Sequence, residues 1–184
     1  MDLSEKILEK KDVLNGRILN VHVDTVELPN GKKSTREIVS HPGGVCICAL
    51  TNNNELLFVR QFRYAFKDTL LELPAGTLIP GNDPLSEGIR ELKEETGAIG
   101  YDYMSLGKIY PSPGYCEEII YLYFCRVKEF GKTNFDEDEF ITIEKIPIKK
   151  ALSMVLNGEI SDAKSQVAIL KTYFLIKNNK ISLN

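Results

Sequence analysis

A chain of 184 residues fits one domain with a small appended element and is long enough to bury a hydrophobic core. Its 43% hydrophobic and 27% charged residues are ordinary for a globular protein, and a net charge of −3 lacks the basic surplus of an electrostatic nucleic-acid binder. No apolar run approaches the ~20 residues that span a bilayer, and Met1 to Lys10 mixes acidic and basic side chains where a signal peptide has an apolar core. The expectation is a cytoplasmic protein with neither nucleic acid nor membrane as partner.

Residues 17–28 alternate in the manner of a β-strand, Pro29-Asn30-Gly31 supplies a turn, and 34–40 resumes as strand, which predicts an N-terminal hairpin. Residues 44–50 and 55–61 are two more strands joined across Thr51 to Asn54. Leu70 to Pro74 is a short extended piece, and Gly76 to Gly81 reads as a loop. From Pro84 to Thr96 the pattern turns helical: Leu85, Ile89 and Leu92 form an apolar stripe, Asp83 is placed to cap the start, and Gly97 stops the helix. Strands are expected at about 103–110 and 119–128, then an acidic loop from Asp136 to Glu139 and a strand at 140–146. Helices over 148–157 and 162–177, the latter capped by Ser161, close the chain. Strands with one inserted and two terminal helices give an α+β pattern.

The four cysteines, Cys46, Cys48, Cys116 and Cys125, form no CxxC pair, and only two histidines are present, so a structural zinc site is not expected. Cys46 and Cys48 alternate with Val45 and Ile47 and read as small hydrophobes sharing one strand face. His41, before Pro42-Gly43, reads as a hydrogen-bonded turn residue.

The chemistry is concentrated in the inserted helix. Glu91 and Glu95 lie one turn apart, Glu94 lies beside them, and Glu87 extends the row, opposite the apolar stripe. Like charges at this spacing cost about a few tenths of a kcal/mol per pair, which a divalent cation relieves. Clustered carboxylates with little His or Cys select hard ions, Mg²⁺ or Mn²⁺. The plainer reading of such a row is a solvated helix face.

The spacing decides between them. Gly76, Arg90, Glu91, Leu92, Glu94, Glu95 and Gly97 fall where the Nudix box, G-x5-E-x7-R-E-U-x-E-E-x-G-U, has its fixed residues, and the segment resembles that box. Two positions depart: Asn82 stands at the first Glu, and Ala98 at the final bulky apolar residue. In the family that Glu chiefly partners the box Arg; here Glu87, three residues before Arg90, has the helical spacing to take over the pairing.

The resemblance covers nearly the whole chain. Arg36 to Gly43, Val59-Arg-Gln-Phe-Arg-Tyr64, Glu72-Leu-Pro-Ala-Gly76, Pro111 to Glu117 with Pro113 in it, and Gly158 to Lys164 all look like the ADP-ribose pyrophosphatase branch. It implies a Nudix fold, a mixed β-sheet core sandwiched by helices, over 41–184. An N-terminal hairpin extension over 1–40 would be exchanged in a homodimer. It assigns the metal, Mg²⁺ with Mn²⁺ as substitute, to Glu91, Glu95 and the Ala75 carbonyl, with Glu94 supporting. Gly76, Arg90, Glu87 and Gly97 become structural. Substrate contacts fall to Arg63, at the diphosphate, and to Arg36 and Glu117. The last carboxylate, as general base or further ligand, falls to Glu139 and then Glu137 in the acidic loop. Tyr64, Phe66 or aromatics of the hairpin are placed to stack on adenine, although core packing is the simpler expectation for each. The implied reaction hydrolyses the pyrophosphate of ADP-ribose, to AMP and ribose 5-phosphate, or of a related nucleoside diphosphate sugar. Alternatives are GDP-mannose, another sugar nucleotide or a dinucleotide as substrate, and a module that binds nucleotide without hydrolysing it, for which only Asn82 speaks.

Overall fold

The structure, a computed structural model, describes residues 2–135 and 140–183. The chain divides into two units: residues up to Gly43 together with Tyr110–Ile119, and Gly44–Ile109 together with Ile120 onward.

The first unit is an antiparallel three-stranded sheet, β1 (Lys6–Asn15), β2 (Asn20–Glu27) and β3 (Lys33–Ser40), in the order β1-β2-β3. The expected hairpin is β2–β3, with Gly31 at φ 77° in its turn; β1 is an additional strand. All ten of its residues are exposed, so the strand has no buried face and its sequence carries no alternation. β2 alternates cleanly, with His22, Asp24 and Val26 buried. Within this unit Val39 pairs with Cys116. Gly43 N–H donates to His41 Nδ1 at 3.1 Å.

The second unit is a seven-stranded mixed sheet. Its strands are β4 (Gly44–Leu50), β5 (Glu55–Arg63), β6 (Asp68–Glu72), β7 (Ala75–Thr77), β8 (Ala98–Ile109), β9 (Ile120–Phe130) and β10 (Ile141–Pro147). The main path runs β10-β5-β4-β9-β8, with β6 paired to β5 and β7 to β4; the β4–β9 ladder is parallel and the rest antiparallel. Helix α1 (Pro84–Thr96) packs on one face and helices α2 (Ile148–Leu156) and α3 (Ala163–Lys177) on the other. β4, buried throughout, shows why. Val45, Ile47 and Ala49 pack with Leu92 of α1, while Cys46, Cys48 and Leu50 pack with Ala151 and Val155 of α2 and Ala168 and Ile169 of α3. The cysteines are reduced and three of them are buried.

Several boundaries differ from the sequence expectation. The segment after Pro74 forms the short strand β7 where a loop was expected. β8 starts at Ala98, five residues early, because its bulges, with Asp102 at φ 51° and Gly107 at φ 89°, break the period-two pattern. Asp162, rather than Ser161, caps α3, its carboxylate accepting from Ser165 N–H at 3.0 Å. Among the described residues no helix is long and apolar enough to cross a membrane.

Candidate active site

Helix α1 is fixed at both ends by local chemistry. Asp83 accepts from Ser86 N–H at 2.9 Å, Pro84 needs no N–H partner, and Gly97 closes the helix at φ 68° with its N–H on the Lys93 carbonyl. The hydrogen bonds from Ser86 hold the Asp83 carboxyl below its ordinary range. Gly88 lets the helix approach β4: a Cβ there would stand 2.6 Å from Ile47 Cδ1 and 2.8 Å from Val45 Cγ2.

That approach sets the carboxylates against β7. Glu95, 3% exposed, accepts from Ala75 N–H at 3.1 Å. Glu91 lies so close to Gly76 that a Cβ on Gly76 would meet its Cδ and Oε1 at 2.1 Å. Arg90 gathers the rest of the row. Its Nη2 donates to Glu87 Oε2 at 2.8 Å and to Glu91 Oε1 at 2.6 Å, and its Nη1 to Glu94 Oε2. Burial lowers the Arg90 pKa, but the hydrogen bond to Glu87 and the charge of Glu91 outweigh it and raise it. Asn82, where the box has Glu, donates through Nδ2 to Glu87 Oε1 at 2.5 Å. Hydrogen bonds from Asn82 and then Arg90 pull the Glu87 carboxyl below its ordinary range. Asn82 therefore ties the loop to the helix through Glu87.

The far end of α1 is tied to the chain that leads toward the acidic loop. Gly131 N–H donates to the Gly97 carbonyl at 2.7 Å and Asn134 N–H to the Glu94 carbonyl at 2.9 Å. Glu137 and Glu139 themselves lie outside the described residues.

A second charged cluster sits where the ends of β5 and β6 meet the start of α3. Arg63 clamps Glu72 through two hydrogen bonds, Nε to Oε1 at 2.6 Å and Nη2 to Oε2 at 2.8 Å. Lys164 Nζ donates to the same Glu72 Oε2 and to Asp162 Oδ1 at 3.0 Å. Burial pushes the Glu72 carboxyl up, but the hydrogen bonds from Arg63 and the charge of Lys164 prevail and bring it down to about 2. The hydrogen bond to Glu72 raises Arg63, and the charge of Glu95 acts in the same direction. Ser165 Oγ accepts from Leu73 N–H at 2.7 Å, stapling α3 to the chain between β6 and β7.

Of the residues singled out from sequence, Glu87, Arg90, Glu91, Glu94, Glu95, Ala75, Gly76, Gly97 and Arg63 all lie in the second unit, whereas Arg36 and Glu117 lie in the first. Arg36 is engaged there by Glu5 Oε1 at 2.5 Å. Tyr64 and Phe66, which core packing would have buried, are exposed in the β5–β6 turn, and Lys67 Nζ lies 2.8 Å from the Tyr64 ring centroid. Sequence reasoning assigned no role to Glu72, Asp162 or Lys164. The signal was a cation, Lys164, at the second position of a capped helix, where a cation is disfavoured.

The donor set suits a hard divalent ion. Two carboxylates, Glu91 and Glu95, abut the Ala75–Gly76 backbone, and all the donors are oxygens. Among the described residues no three acidic, His or Cys side chains converge as a ready-made metal centre. Arg90 holds Glu87, Glu91 and Glu94 as their counter-ion.

Comparison with known proteins agrees with this layout. The NUDIX domain model matches residues 40–166, and that of the nucleoside diphosphate sugar hydrolase N-terminal domain matches residues 5–39. The chain is 38% identical over 169 residues to the ADP-ribose pyrophosphatase of Bacillus subtilis (strain 168), 91% of each chain being covered. It is also 38% identical over 167 residues to the methanol dehydrogenase activator of Bacillus methanolicus, 90% of each being covered. A crystal structure of an ADP compounds hydrolase shares the fold, with a TM-score of 0.85 at 20% identity over 97% of this chain and 98% of that one. With the box residues on one helix against β7, and with a family match over well more than half its length, the chain belongs to the Nudix family.

Proposed function

We propose that this Nudix pyrophosphohydrolase cleaves the diphosphate linkage of ADP-ribose, or of a closely related nucleoside diphosphate sugar, with Mg²⁺ and with Mn²⁺ able to replace it. The observation that carries the reading is the docking of the acidic helix on the β7 backbone, Glu95 on Ala75 N–H and Glu91 in the space that a side chain at Gly76 would fill. The substrate class follows the ADP-ribose pyrophosphatase of Bacillus subtilis, which matches over 91% of each chain.

Glu91, Glu95 and the Ala75 carbonyl would hold the cation, with Glu94 supporting from the same face. When bound, the cation neutralises diphosphate oxygens and makes water easier to deprotonate. Glu139, or failing that Glu137, accepts the proton of the attacking water. Its oxygen bonds to one phosphorus, and the bridging oxygen leaves with the other phosphate, so ADP-ribose gives AMP and ribose 5-phosphate. Arg63 binds the diphosphate oxygens, since its clamp on Glu72 uses Nε and Nη2 and does not engage Nη1. Arg36 and Glu117 are the further proposed substrate contacts.

The protein acts as a homodimer in this reading. The edge strand β1 and its approach expose Leu3, Ile7, Leu8, Val13 and Leu14. A long edge strand with apolar side chains in water is a surface that natural proteins cover, and a second copy of the same sheet is the cover proposed.

The test is hydrolysis of ADP-ribose with Mg²⁺, beside GDP-mannose, other sugar nucleotides and dinucleotides, with Glu95→Gln as control. Cleavage of ADP-ribose that the substitution abolishes is expected. Cleavage of another member alone moves the substrate, and binding without cleavage of any member overturns the enzymatic reading.

A further inference from the structure

Lys164 is a buried cation in an unfavourable place. It is the second residue of α3, where free N–H groups and the helix dipole make the potential positive, and its side chain is only 12% exposed. The helix does not need it there: Asp162 alone caps the start, accepting from Ser165 N–H at 3.0 Å and Ser165 Oγ at 2.5 Å. What the ammonium does is grip Glu72 Oε2, while Asp162 Oδ1, 3.0 Å away, offsets its charge. Burial pushes the Lys164 amine down, but the charges of Asp162 and Glu72 outweigh this and raise it, so the group remains a cation.

Glu72 is thereby held from two directions. Arg63 takes both oxygens and Lys164 shares one of them, on a carboxylate that is 2% exposed. A carboxylate bound by a single guanidinium can rock with it, whereas one also gripped by a buried ammonium cannot, and the planar clamp passes that rigidity to the guanidinium. Lys164 has its own contacts in Glu72 and Asp162, so it acts through them rather than on the substrate.

We propose that Lys164 is a positioning residue for Arg63: by fixing Glu72 it fixes the guanidinium plane, so that the Nη1 edge is presented to the diphosphate of the substrate. This rests on the reaction proposed above.

The experiment is a kinetic double-mutant cycle on the full chain, with ADP-ribose and Mg²⁺, combining Lys164→Met with Arg63→Ala and recording thermal unfolding of each protein. Lys164→Met alone is expected to lower kcat/KM about tenfold, mainly through KM, as the loss of one charge-assisted hydrogen bond implies. In the Arg63→Ala background the same substitution is expected to change kcat/KM by less than about twofold, since the group it positions is gone. Lys164→Gln, whose shorter neutral amide keeps a donor but removes the charge, carries the same cycle if Lys164→Met does not fold, and the same coupling is expected. Equal losses in both backgrounds would show a merely structural lysine and overturn the inference while leaving the reaction intact. A wild-type protein inactive on the whole panel would overturn the reaction and the inference with it.

Discussion

Glu72 keeps its charge in a site where a lone carboxylate would not, because Arg63 and Lys164 together outweigh the cost of its burial. A carboxyl whose folded pKa is about 2, against an ordinary 4.5, stabilises the fold fully above pH 4.5 and loses that contribution as pH falls toward 2. The share at stake is about 3 kcal/mol. Urea unfolding at stepped pH should therefore show the wild type losing stability across this window, and Glu72→Gln a flatter profile, starting from a lower value at pH 7. A second residue-scale prediction concerns Gly76. An added methyl would stand 2.1 Å from the Glu91 carboxylate, and the far end of that side chain can move. Gly76→Ala should hence lower hydrolysis by about a hundredfold, in the range expected when a catalytic group is displaced, while shifting the melting temperature little. A large melting shift with activity retained would show that Gly76 serves packing rather than the placement of Glu91.

At the scale of elements, the ends of α1 were the most legible part of the chain, since cap, proline and terminal glycine agree in one stretch. Its buried face is not the expected stripe: of Leu85, Ile89 and Leu92 only Leu92 is buried, Ile89 is 41% exposed, and Glu87, Gly88 and Glu95 turn inward instead, because the helix docks by its carboxylates and its glycine. What its sequence does not announce is how close it must come to β4. The absent side chain at Gly88 sets that distance, and Gly88→Ala should destabilise the protein by about 1–3 kcal/mol, the usual cost of overpacking, as read by chemical denaturation. Elements without a buried face or with a broken period were hidden for physical reasons. β1 is exposed on both sides, so no pattern marks it, and the bulges of β8 shift its side chains from face to face. The clamp of Arg63, Glu72 and Lys164 was invisible because its members come from three elements, with Glu72 and Lys164 lying 92 positions apart. Composition and spacing read local chemistry well and cannot report which distant charges meet.

At the scale of the molecule, the exposed apolar residues of β1 give the dimer its test. Sedimentation is expected to find twice the 20.8 kDa chain mass. Replacing Ile7 and Val13, both 61% exposed, with glutamate should give a monomer that remains folded, because neither side chain is buried within the chain. A monomeric wild type would remove the shared-sheet reading without touching the chemistry of the second unit.

The anchoring of Asn134 on the Glu94 carbonyl has a consequence for that chemistry. With β10 beginning at Ile141, the chain between is pinned at one end to the helix of carboxylates and at the other to the strand beside β5. Covalent geometry alone keeps Glu139 within about 17 Å of Asn134. The number of residues between these two anchors thus limits how far from α1 any carboxylate carried there can reach, and in the proposed reaction it sets that carboxylate's local concentration. Inserting flexible residues between Lys132 and Phe140 would dilute that carboxylate without altering a single contact in the sheet.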